Sequence, residues 1–298
     1  MYDHQVISSS GSIKYSICIC NWNMGDTLQT SLLSVIDQIS DEFEIVLIDD
    51  GSTDNSLEIL DSLASSYTNF SFYRFPRDSN RRLGKTRNKS MELAKGEWCI
   101  FHIDMDDFIG PYLLDFTKAV ELLDGYLVGE HLYSGKQIHM ARRGFLLENG
   151  PFKNIYRGED RDLYERLAPE NKWIIIDHLR FVQRMPRDSK KLLRKKIHDV
   201  WDQTVTDLQF SHNPLRYLID SARKIQELRP RRFLIRSMLI PAASLIALRR
   251  GLFKNENKFP RGKFVQYRNE NTKTLSDWMS CLNIPRRMRQ DIDETIFP

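Results

Sequence analysis

Two acidic clusters in this 298-residue chain directly follow apolar segments. One is Asp49-Asp50, which follows residues 44–48, and the other is Asp104-Met105-Asp106-Asp107, which follows residues 98–103. Carboxylates two positions apart at the end of an extended strand point in the same direction. Such oxygen ligands suit Mg²⁺ or Mn²⁺, which keep coordination positions open for phosphates. We therefore predict a divalent-cation site at Asp104 and Asp106; for so short a motif the alternative is a solvated acidic loop or a helix cap.

Two further segments offer polar groups to a ligand. The turn Asp50-Gly51-Ser52-Thr53-Asp54 has carboxylates that could accept hydrogen bonds from a base or a ribose. It equally suits a plain turn that leads into a helix, and the pattern alone leaves both interpretations open. Lys85 and Arg87 stand at the start of a predicted helix. Cations are unfavourable at the positive end of the helix dipole, but there they can hold a phosphate beside the free N–H groups.

The elements that must position these groups alternate between strands and helices over the first hundred residues. Short apolar, β-branched runs predict strands at Tyr15–Cys20, Glu44–Ile48, Phe70–Phe75 and Trp98–Ile103. Apolar residues at helical spacing predict helices at Thr27–Ile39, from Leu57 onward, and at Arg87–Lys95, which Gly96 closes. This alternation indicates an α/β fold with a largely parallel sheet. Ligands of such sheets bind beyond the carboxyl ends of the strands, so both acidic clusters are expected to face one crevice.

The pattern is less regular after residue 112 and changes again near residue 180. The predicted elements before 180 are a helix at Tyr112–Leu123, extended segments at Val128–Gly135 and Lys136–Arg142, a helix at Asp162–Leu167 and a strand at Trp173–Ile176. Basic helices follow at Ser189–Phe210, Pro214–Leu228 and Phe233–Leu248, with a final pair around Thr274–Asn283 and Pro285–Thr295. We therefore predict a catalytic domain at 13–180, divided into halves at 13–112 and 113–180, and a helical basic extension at 181–298.

Composition excludes some classes of protein. A hydrophobic content of 41% supports a buried core and excludes overall disorder, and a net charge of +4 points to no specific nucleic-acid partner. Cys18 and Cys20 lie two apart in one predicted strand, which is too extended for them to bridge easily. The N-terminus has no signal-peptide pattern, and there is no uninterrupted run of 18 apolar residues. A reduced, cytoplasmic location is the expectation.

These motifs together resemble the family 2 glycosyltransferases with the GT-A fold, over about residues 14–180. Five segments carry the resemblance, in the family's order. They are the opening strand and loop Ser16–Asn23, the turn Asp49–Asp54, Gly84-x-x-Arg87-Asn88 followed by Gly96-Glu97, the Asp-x-Asp segment Ile103–Asp107, and the Glu-Asp segment Gly158–Leu163. Five short motifs in one order are far more specific than any one of them alone.

The resemblance implies a nucleotide-diphospho-sugar transferase with a mixed, mostly parallel sheet flanked by helices. It implies a nucleoside-diphosphate sugar as donor, Mn²⁺ or Mg²⁺ as cofactor, and a glycan or lipid-linked acceptor. The implied donor-binding residues are Asn21, Asn23, Asp49, Asp50, Lys85, Arg87 and Asp104. The implied metal ligands are Asp104 and Asp106, and His178, which follows the strand at 173–176, is added as a candidate with a structural role as its alternative.

The resemblance assigns Asp160 as the general base. A carboxylate that takes the proton of an acceptor hydroxyl as it attacks lowers the barrier, and a cation offsets charge on the departing nucleotide. One base without an enzyme nucleophile implies single displacement with inversion. Taken alone, Glu159 and Asp160 would instead be interpreted as caps of the helix at 162–167.

The departures from the family pattern narrow the prediction. The Gln-x-x-Arg-Trp motif of processive members is absent after Asp160, which favours transfer of a single sugar. Lys85-Thr86 replaces the small residues common before Arg87. Two alternatives remain: a nucleotidyltransferase acting on a sugar phosphate, whose Gly-rich loop is lacking, and a non-catalytic protein that binds sugar nucleotides.

The segment Phe233–Leu248 has two interpretations. It is an apolar segment of 16 residues interrupted by Arg236 and Pro241, and arginines flank it on both sides. It is too short to span a bilayer comfortably, but it suits a helix lying at the inner face of an anionic membrane. The other interpretation is a helix packed within the protein or in a homo-oligomer.

Overall fold

The computed structural model of the chain describes residues 12–155, 157–186, 189–211, 219, 230–250 and 261–298. The predicted helix Pro214–Leu228 lies almost entirely outside the described residues. The N-terminal segment 1–11 also lies outside the described residues, and the prediction that the N-terminus has no signal-peptide pattern concerns this segment.

The first hundred residues alternate between strand and helix, as the periodicity predicts. The strands are β1 (Tyr15–Asn21), β2 (Phe43–Asp49), β3 (Phe70–Arg74) and β4 (Trp98–Phe101), and the helices are α1 (Gly25–Ile36), α2 (Ser56–Ser66) and α3 (Leu83–Leu93). All seven residues of β2 are buried, as expected for a parallel strand covered on both faces. Most bounds differ from prediction by one to four residues. Helix α1 begins two residues earlier and ends three residues earlier than predicted, and helix α3 begins four residues earlier. Strand β4 ends two residues earlier because His102 has a φ of 69°.

The next eighty residues contain shorter elements. They are β5 (Asp107–Ile109), α4 (Leu113–Asp124), β6 (Leu132–Ser134), β7 (His139–Arg142), α5 (Arg143–Asn149), α6 (Glu159–Leu167), β8 (Trp173–Asp177) and β9 (Val182–Arg184). The predicted extended segments contain β6 and β7, each shorter than expected. Helix α6 begins three residues before its predicted start, so Glu159 and Asp160 lie within its first turn.

The C-terminal part of the chain contains α7 (Ser189–Ser211), α8 (Pro230–Arg250), α9 (Arg261–Asn271), β10 (Thr272–Thr274) and α10 (Leu275–Cys281). Helices α7 and α8 confirm two of the predicted basic helices. The predicted boundary near 180 is wrong, because β10 pairs with β8 and Leu275, Trp278 and Phe297 join the main hydrophobic core. The Trp278 indole also donates a hydrogen bond to the Ile175 carbonyl, at 2.9 Å. The C-terminal residues therefore complete the α/β domain.

Among the described residues, eight strands form the main sheet in the order β10-β8-β6-β7-β4-β1-β2-β3. Only β7 runs antiparallel to its neighbours, β4 and β6. The predicted mixed, mostly parallel sheet is confirmed. The carboxyl ends of β1, β2 and β4 consequently lie at one edge, as the sequence predicts for the acidic clusters.

A second, two-stranded sheet pairs β5 with β9 in antiparallel register. It places Arg184 directly opposite Asp107, although 77 residues separate them in the chain. None of the helices in the described ranges is long and apolar enough to cross a membrane. All four cysteines are free thiols.

Candidate active site

A buried polar clamp joins the ends of β1 and β2. The Asn21 amide donates to Asp49 Oδ2 at 2.8 Å, and Asp49 Oδ1 accepts the backbone N–H groups of Gly51 and Ser52 at 3.1 and 2.9 Å. Asn21 and Asp49 are both buried. Their polar groups fix the turn after β2, so the structure gives them a structural role and does not support the predicted contact with the donor.

The turn itself depends on backbone conformations that few residues adopt. Gly51 has a φ of 77°, and a Cβ built there would lie 2.6 Å from the backbone nitrogen of Arg77. Asn23 has a φ of 52°, and its side-chain oxygen accepts the Thr53 N–H at 2.7 Å. Asn23 is exposed at this edge, so it stays a candidate for donor contact.

Asp50 lies beside the turn and is held by two arginines. Arg81 Nε donates to Asp50 Oδ1 at 2.6 Å, and Arg77 forms a short ion pair with Oδ2. The Arg77 guanidinium also lies over the ring of Trp22, 4.2 Å from its centroid. Because both Asp50 oxygens are already paired, a direct contact with a base would have to share or displace an arginine. The exposed surface beside Asp50 is formed by the Arg77 guanidinium on the Trp22 ring, and the sequence analysis did not predict this pair.

The second acidic cluster is concentrated around one point. Single carboxylate oxygens of Asp104, Asp106 and Asp107 lie within 4.8 Å of one another. Asp106 and Asp107 are buried, whereas Asp104 is partly exposed. Neither oxygen of Asp107 accepts a hydrogen bond of good geometry from the described residues. Three oxygen ligands, one of them buried with unsatisfied lone pairs, fit a hard divalent cation.

Arg184 on β9 contacts the same three carboxylates. Its NH2 lies 3.1 Å from Asp104 Oδ2, its Nε lies 2.8 Å from Asp107 Oδ1, and its NH1 forms a short ion pair with Asp106. Burial raises the pKa of Asp107 to about 6, against the opposing Arg184 charge. For Asp104, burial also opposes ionisation, but the positive charges of Arg87 and Arg184 hold its pKa below the usual value.

A cavity of about 600 Å³ opens beside this cluster. Its lining includes Asp104 from the acidic cluster, Asp160 from the first turn of α6, and Arg87, His102 and Tyr164 between them. The structure therefore brings together two of the predicted functional carboxylates, from segments 56 residues apart.

Asp160 projects from the N-terminal turn of α6, where the helix dipole favours a negative charge. The N-cap position is Gly158, with a φ of 80° and no side-chain cap. Glu159 and Asp160 lie inside the helix, so neither is its N-cap residue, although Asp160 Oδ1 accepts the Arg161 N–H at 2.7 Å. Asp160 Oδ2 lies 3.8 Å from His102 Nε2, and the side chain is partly exposed to the cavity. A carboxylate in that position can accept a proton from a bound hydroxyl.

His102 belongs to a network that the sequence did not reveal. Its Nδ1 lies 2.7 Å from His139 Nε2, which the Tyr164 hydroxyl also approaches at 2.6 Å. The two imidazole rings stack, with centroids 4.6 Å apart. Burial lowers the pKa of both histidines, that of His139 well below its usual value, so the site disfavours the protonated form of each ring.

Arg87 holds the start of α6 in place. Its NH1 lies 2.7 Å from Glu159 Oε1, in an ion pair between two buried side chains. Burial opposes its charge, but Glu159 raises the Arg87 pKa above its usual value. This ion pair lets Arg87 position Glu159 and, through it, Asp160. Arg87 also lines the cavity with Asp104, so its contact with a phosphate stays a prediction. Lys85, two residues earlier, is exposed and stays a candidate for donor contact.

The structure does not support His178 as a metal ligand. It is buried, and its Nε2 accepts the Lys136 N–H at 2.8 Å. Its Nδ1 lies 2.7 Å from the Leu179 carbonyl, to which it donates. Both ring nitrogens are thus used by the backbone, and the ring packs against Phe297, 5.1 Å between centroids. His178 therefore has a structural role, which was the alternative to metal binding.

Comparison with known proteins agrees with this geometry. The sequence model of the family described as Glycosyl transferase family 2 matches residues 16–144. The chain is 36% identical to the cholesterol galactosyltransferase of Borreliella burgdorferi over 102 residues, which are 34% of this chain and 27% of that protein. It is also 36% identical to the poly(ribitol-phosphate) beta-glucosyltransferase of Bacillus spizizenii over 104 residues, 34% of this chain and 16% of that protein. The matches therefore span less than a third of these relatives.

Two solved structures share the fold over almost the whole chain. S. aureus TarS matches with a TM-score of 0.52 and 20% identity, covering 95% of this chain and 54% of that one. A mannosyltransferase from Pyrobaculum calidifontis matches with a TM-score of 0.51 and 13% identity, covering 94% and 83%. Residues 16–144 therefore belong to glycosyl transferase family 2, within a chain that adopts the GT-A fold.

Proposed function

We propose that the protein transfers a single sugar from a nucleoside-diphosphate sugar to an acceptor hydroxyl, with inversion at the anomeric carbon. The observation that carries this proposal is that Asp104 and Asp160 line one cavity. Asp104 belongs to the cluster proposed to bind the cation and the donor diphosphate, and Asp160 is the candidate base. The family relationship supports the same reaction class. The P. calidifontis mannosyltransferase was solved in complex with GDP-Man and Mn²⁺, which supports a nucleotide sugar and a divalent cation here.

In this proposal Asp104, Asp106 and Asp107 hold Mn²⁺ or Mg²⁺. Their oxygens lie close enough to share one ion, and the buried Asp107 has unsatisfied lone pairs. A bound cation supplies positive charge that stabilises the departing nucleoside diphosphate. Asn23, Lys85 and the surface of Arg77 on Trp22 are the candidate contacts for the rest of the donor.

Asp160 acts as the general base. The acceptor hydroxyl lies in the cavity, gives its proton to Asp160 and attacks the anomeric carbon on the face opposite the leaving diphosphate. The ion pair of Arg87 with Glu159 fixes the backbone from which Asp160 projects, and His102 limits its rotation. No second carboxylate is given the role of nucleophile, so the product has the inverted anomeric configuration.

Thermal stability in the presence of nucleotide sugars tests the proposal. We expect one of the UDP, GDP or TDP sugars, together with Mn²⁺, to raise the melting temperature, because a ligand at about 100 times its Kd adds about 2.7 kcal/mol. The same donor should then release its nucleoside diphosphate when an acceptor is supplied. Stabilisation by a sugar phosphate with release of pyrophosphate would instead indicate a nucleotidyltransferase. Donor binding without turnover would indicate a binding protein, and no response to any nucleotide sugar would contradict the proposal.

We further propose that α8 contacts an anionic membrane, which would bring a lipid-linked acceptor within reach. Ile240, Ala243 and Ala247 bury one face of α8 against α7. The opposite face carries an apolar stripe, in which Met238, Leu245 and Leu248 are 78, 71 and 63% exposed. The sequence from 229 to 254 contains arginines and a lysine but no acidic residue. An exposed apolar stripe within a basic segment suits the interface of anionic lipids.

Flotation with vesicles tests this surface. The full chain is expected to float with phosphatidylglycerol vesicles and less with phosphatidylcholine vesicles. The double substitution Leu245→Ser and Leu248→Ser should reduce the floated fraction by about tenfold or more, because each leucine loses about 1.5–3 kcal/mol of apolar transfer. Val128→Ser, at an exposed apolar residue away from α8, is the matched control and should float like the wild type. Equal flotation of the double variant would remove the membrane proposal, and a change in oligomeric state instead would assign the stripe to a second copy.

A further inference from the structure

The guanidinium of Arg184 lies where the acidic cluster would hold its cation. Each of its three nitrogens faces a different carboxylate, those of Asp104, Asp106 and Asp107. The three carboxylate oxygens that could bind one ion lie within 4.8 Å of one another. A group with one positive charge therefore partly compensates a cluster that can carry three negative charges.

We propose that Arg184 is a built-in counter-cation that competes with the divalent ion and sets its affinity. The inference rests on the proposed function in one respect, since it takes the three aspartates as the cation site. A divalent ion would draw on carboxylate oxygens of the same three aspartates, and two positive groups this close together repel each other. In this proposal the guanidinium moves away when the ion binds.

The surroundings of Arg184 allow that movement. Its side chain is 40% exposed, whereas those of Asp106 and Asp107 are almost completely buried. Arg184 is the last residue of β9, so its side chain can turn toward solvent without breaking the pairing of β5 with β9 at Phe108 and Ile109. Asp106 and Asp107 are held in place by burial, whereas the Arg184 side chain has solvent beside it into which it can move.

The contacts of Arg184 also account for how Asp107 remains buried. Its carboxylate accepts no well-formed hydrogen bond from the described residues, although Arg184 Nε lies 2.8 Å from Oδ1. The positive charge of Arg184 offsets part of the cost of burying the Asp107 carboxylate without the ion. The contact nevertheless leaves the hydrogen-bonding capacity of that carboxylate mostly unused. A divalent cation, with ligand positions in all directions, would satisfy it better.

The affinity for Mn²⁺ alone tests the proposal, and it needs neither donor nor acceptor. With no nucleotide present, Arg184→Gln should bind Mn²⁺ at least about tenfold more tightly than the wild type, measured by titration of free Mn²⁺ by electron paramagnetic resonance. Arg184→Lys keeps a charge but cannot face three carboxylates at once, so its affinity should lie between the two. The melting temperature of Arg184→Gln should fall in EDTA and rise with Mn²⁺ by more than that of the wild type.

Arg157→Gln is the matched control. Arg157 lines the cavity that Asp104 also lines, but it pairs with Asp199. Its loss therefore removes one positive charge from that cavity without removing a contact of Asp104, Asp106 or Asp107. Its Mn²⁺ affinity should stay within about twofold of the wild type, since charges outside the cluster are screened by solvent. Equal or weaker Mn²⁺ binding by Arg184→Gln, an equal gain in Arg157→Gln, or no binding by any variant would each overturn the proposal. The proposed function fails separately, if the wild type binds Mn²⁺ but no nucleotide sugar and transfers nothing.

Discussion

Asp160→Asn is expected to lower kcat by about 10²–10⁴, which is the range contributed by a positioned general base. The amide has nearly the same shape but cannot take the proton of the acceptor hydroxyl. Because Asp160 lies on the α6 side of the cavity and not in the acidic cluster, the affinity for the donor and for Mn²⁺ should change little. Initial rates with saturating donor, compared with donor binding by calorimetry, separate these two effects.

Asp199→Asn is a matched control for that substitution. Asp199 lines the same cavity and its side chain is 32% exposed, against 31% for Asp160. It pairs with Arg157 at a half-exposed position, and such pairs contribute about 0–1 kcal/mol. Its loss should therefore cost less than about tenfold in kcat. Equal losses in the two variants, or a full rate in Asp160→Asn, would remove Asp160 from the role of base.

Patterns within short segments of the sequence predicted the strands and helices whose formation depends on residues close together in the chain. Residues 45–48 of β2 are apolar, three of the four are β-branched, and Asp49-Asp50 follow them. The alternation of strands with helices predicted the largely parallel sheet. The convergence of strand ends predicted that Asp104 lies at the carboxyl edge of the sheet. Asp160 was assigned from the resemblance to the family, and its place in the same cavity as Asp104 was seen only in the structure.

Contacts between distant segments were not predictable in this way. Arg184 reaches the acidic cluster only because β9 pairs with β5, and two three-residue strands leave no periodicity to read. Strand β10 was missed for the same reason, which misplaced the domain boundary. His178 was misjudged because its partners are backbone groups and the ring of Phe297, which no motif encodes.

The second large effect is expected at the ion pair that holds α6. Arg87→Met should lower the free energy of unfolding by about 3–5 kcal/mol, because it leaves the Glu159 carboxylate buried without its partner. Burial already raises the pKa of Glu159, so its charge has little other compensation. Chemical denaturation followed by circular dichroism gives this value. The rate of sugar transfer should fall as well, since Asp160 is the next residue in the chain.

Removing the charges of both Arg87 and Glu159 separates the effect of the lost ion pair from the effect of the lost packing of Arg87. The double variant Arg87→Met with Glu159→Gln should recover most of the stability, because replacing a whole buried pair is often close to neutral. Lys89→Met, in the same helix, removes one partner of an exposed pair with Glu92 and should cost less than about 1 kcal/mol. If the double variant stays as unstable as Arg87→Met, the packing of Arg87 over the Phe152 ring is what holds α3 to the loop before α6. Recovered stability without recovered turnover would instead show that the charged pair itself orients Asp160.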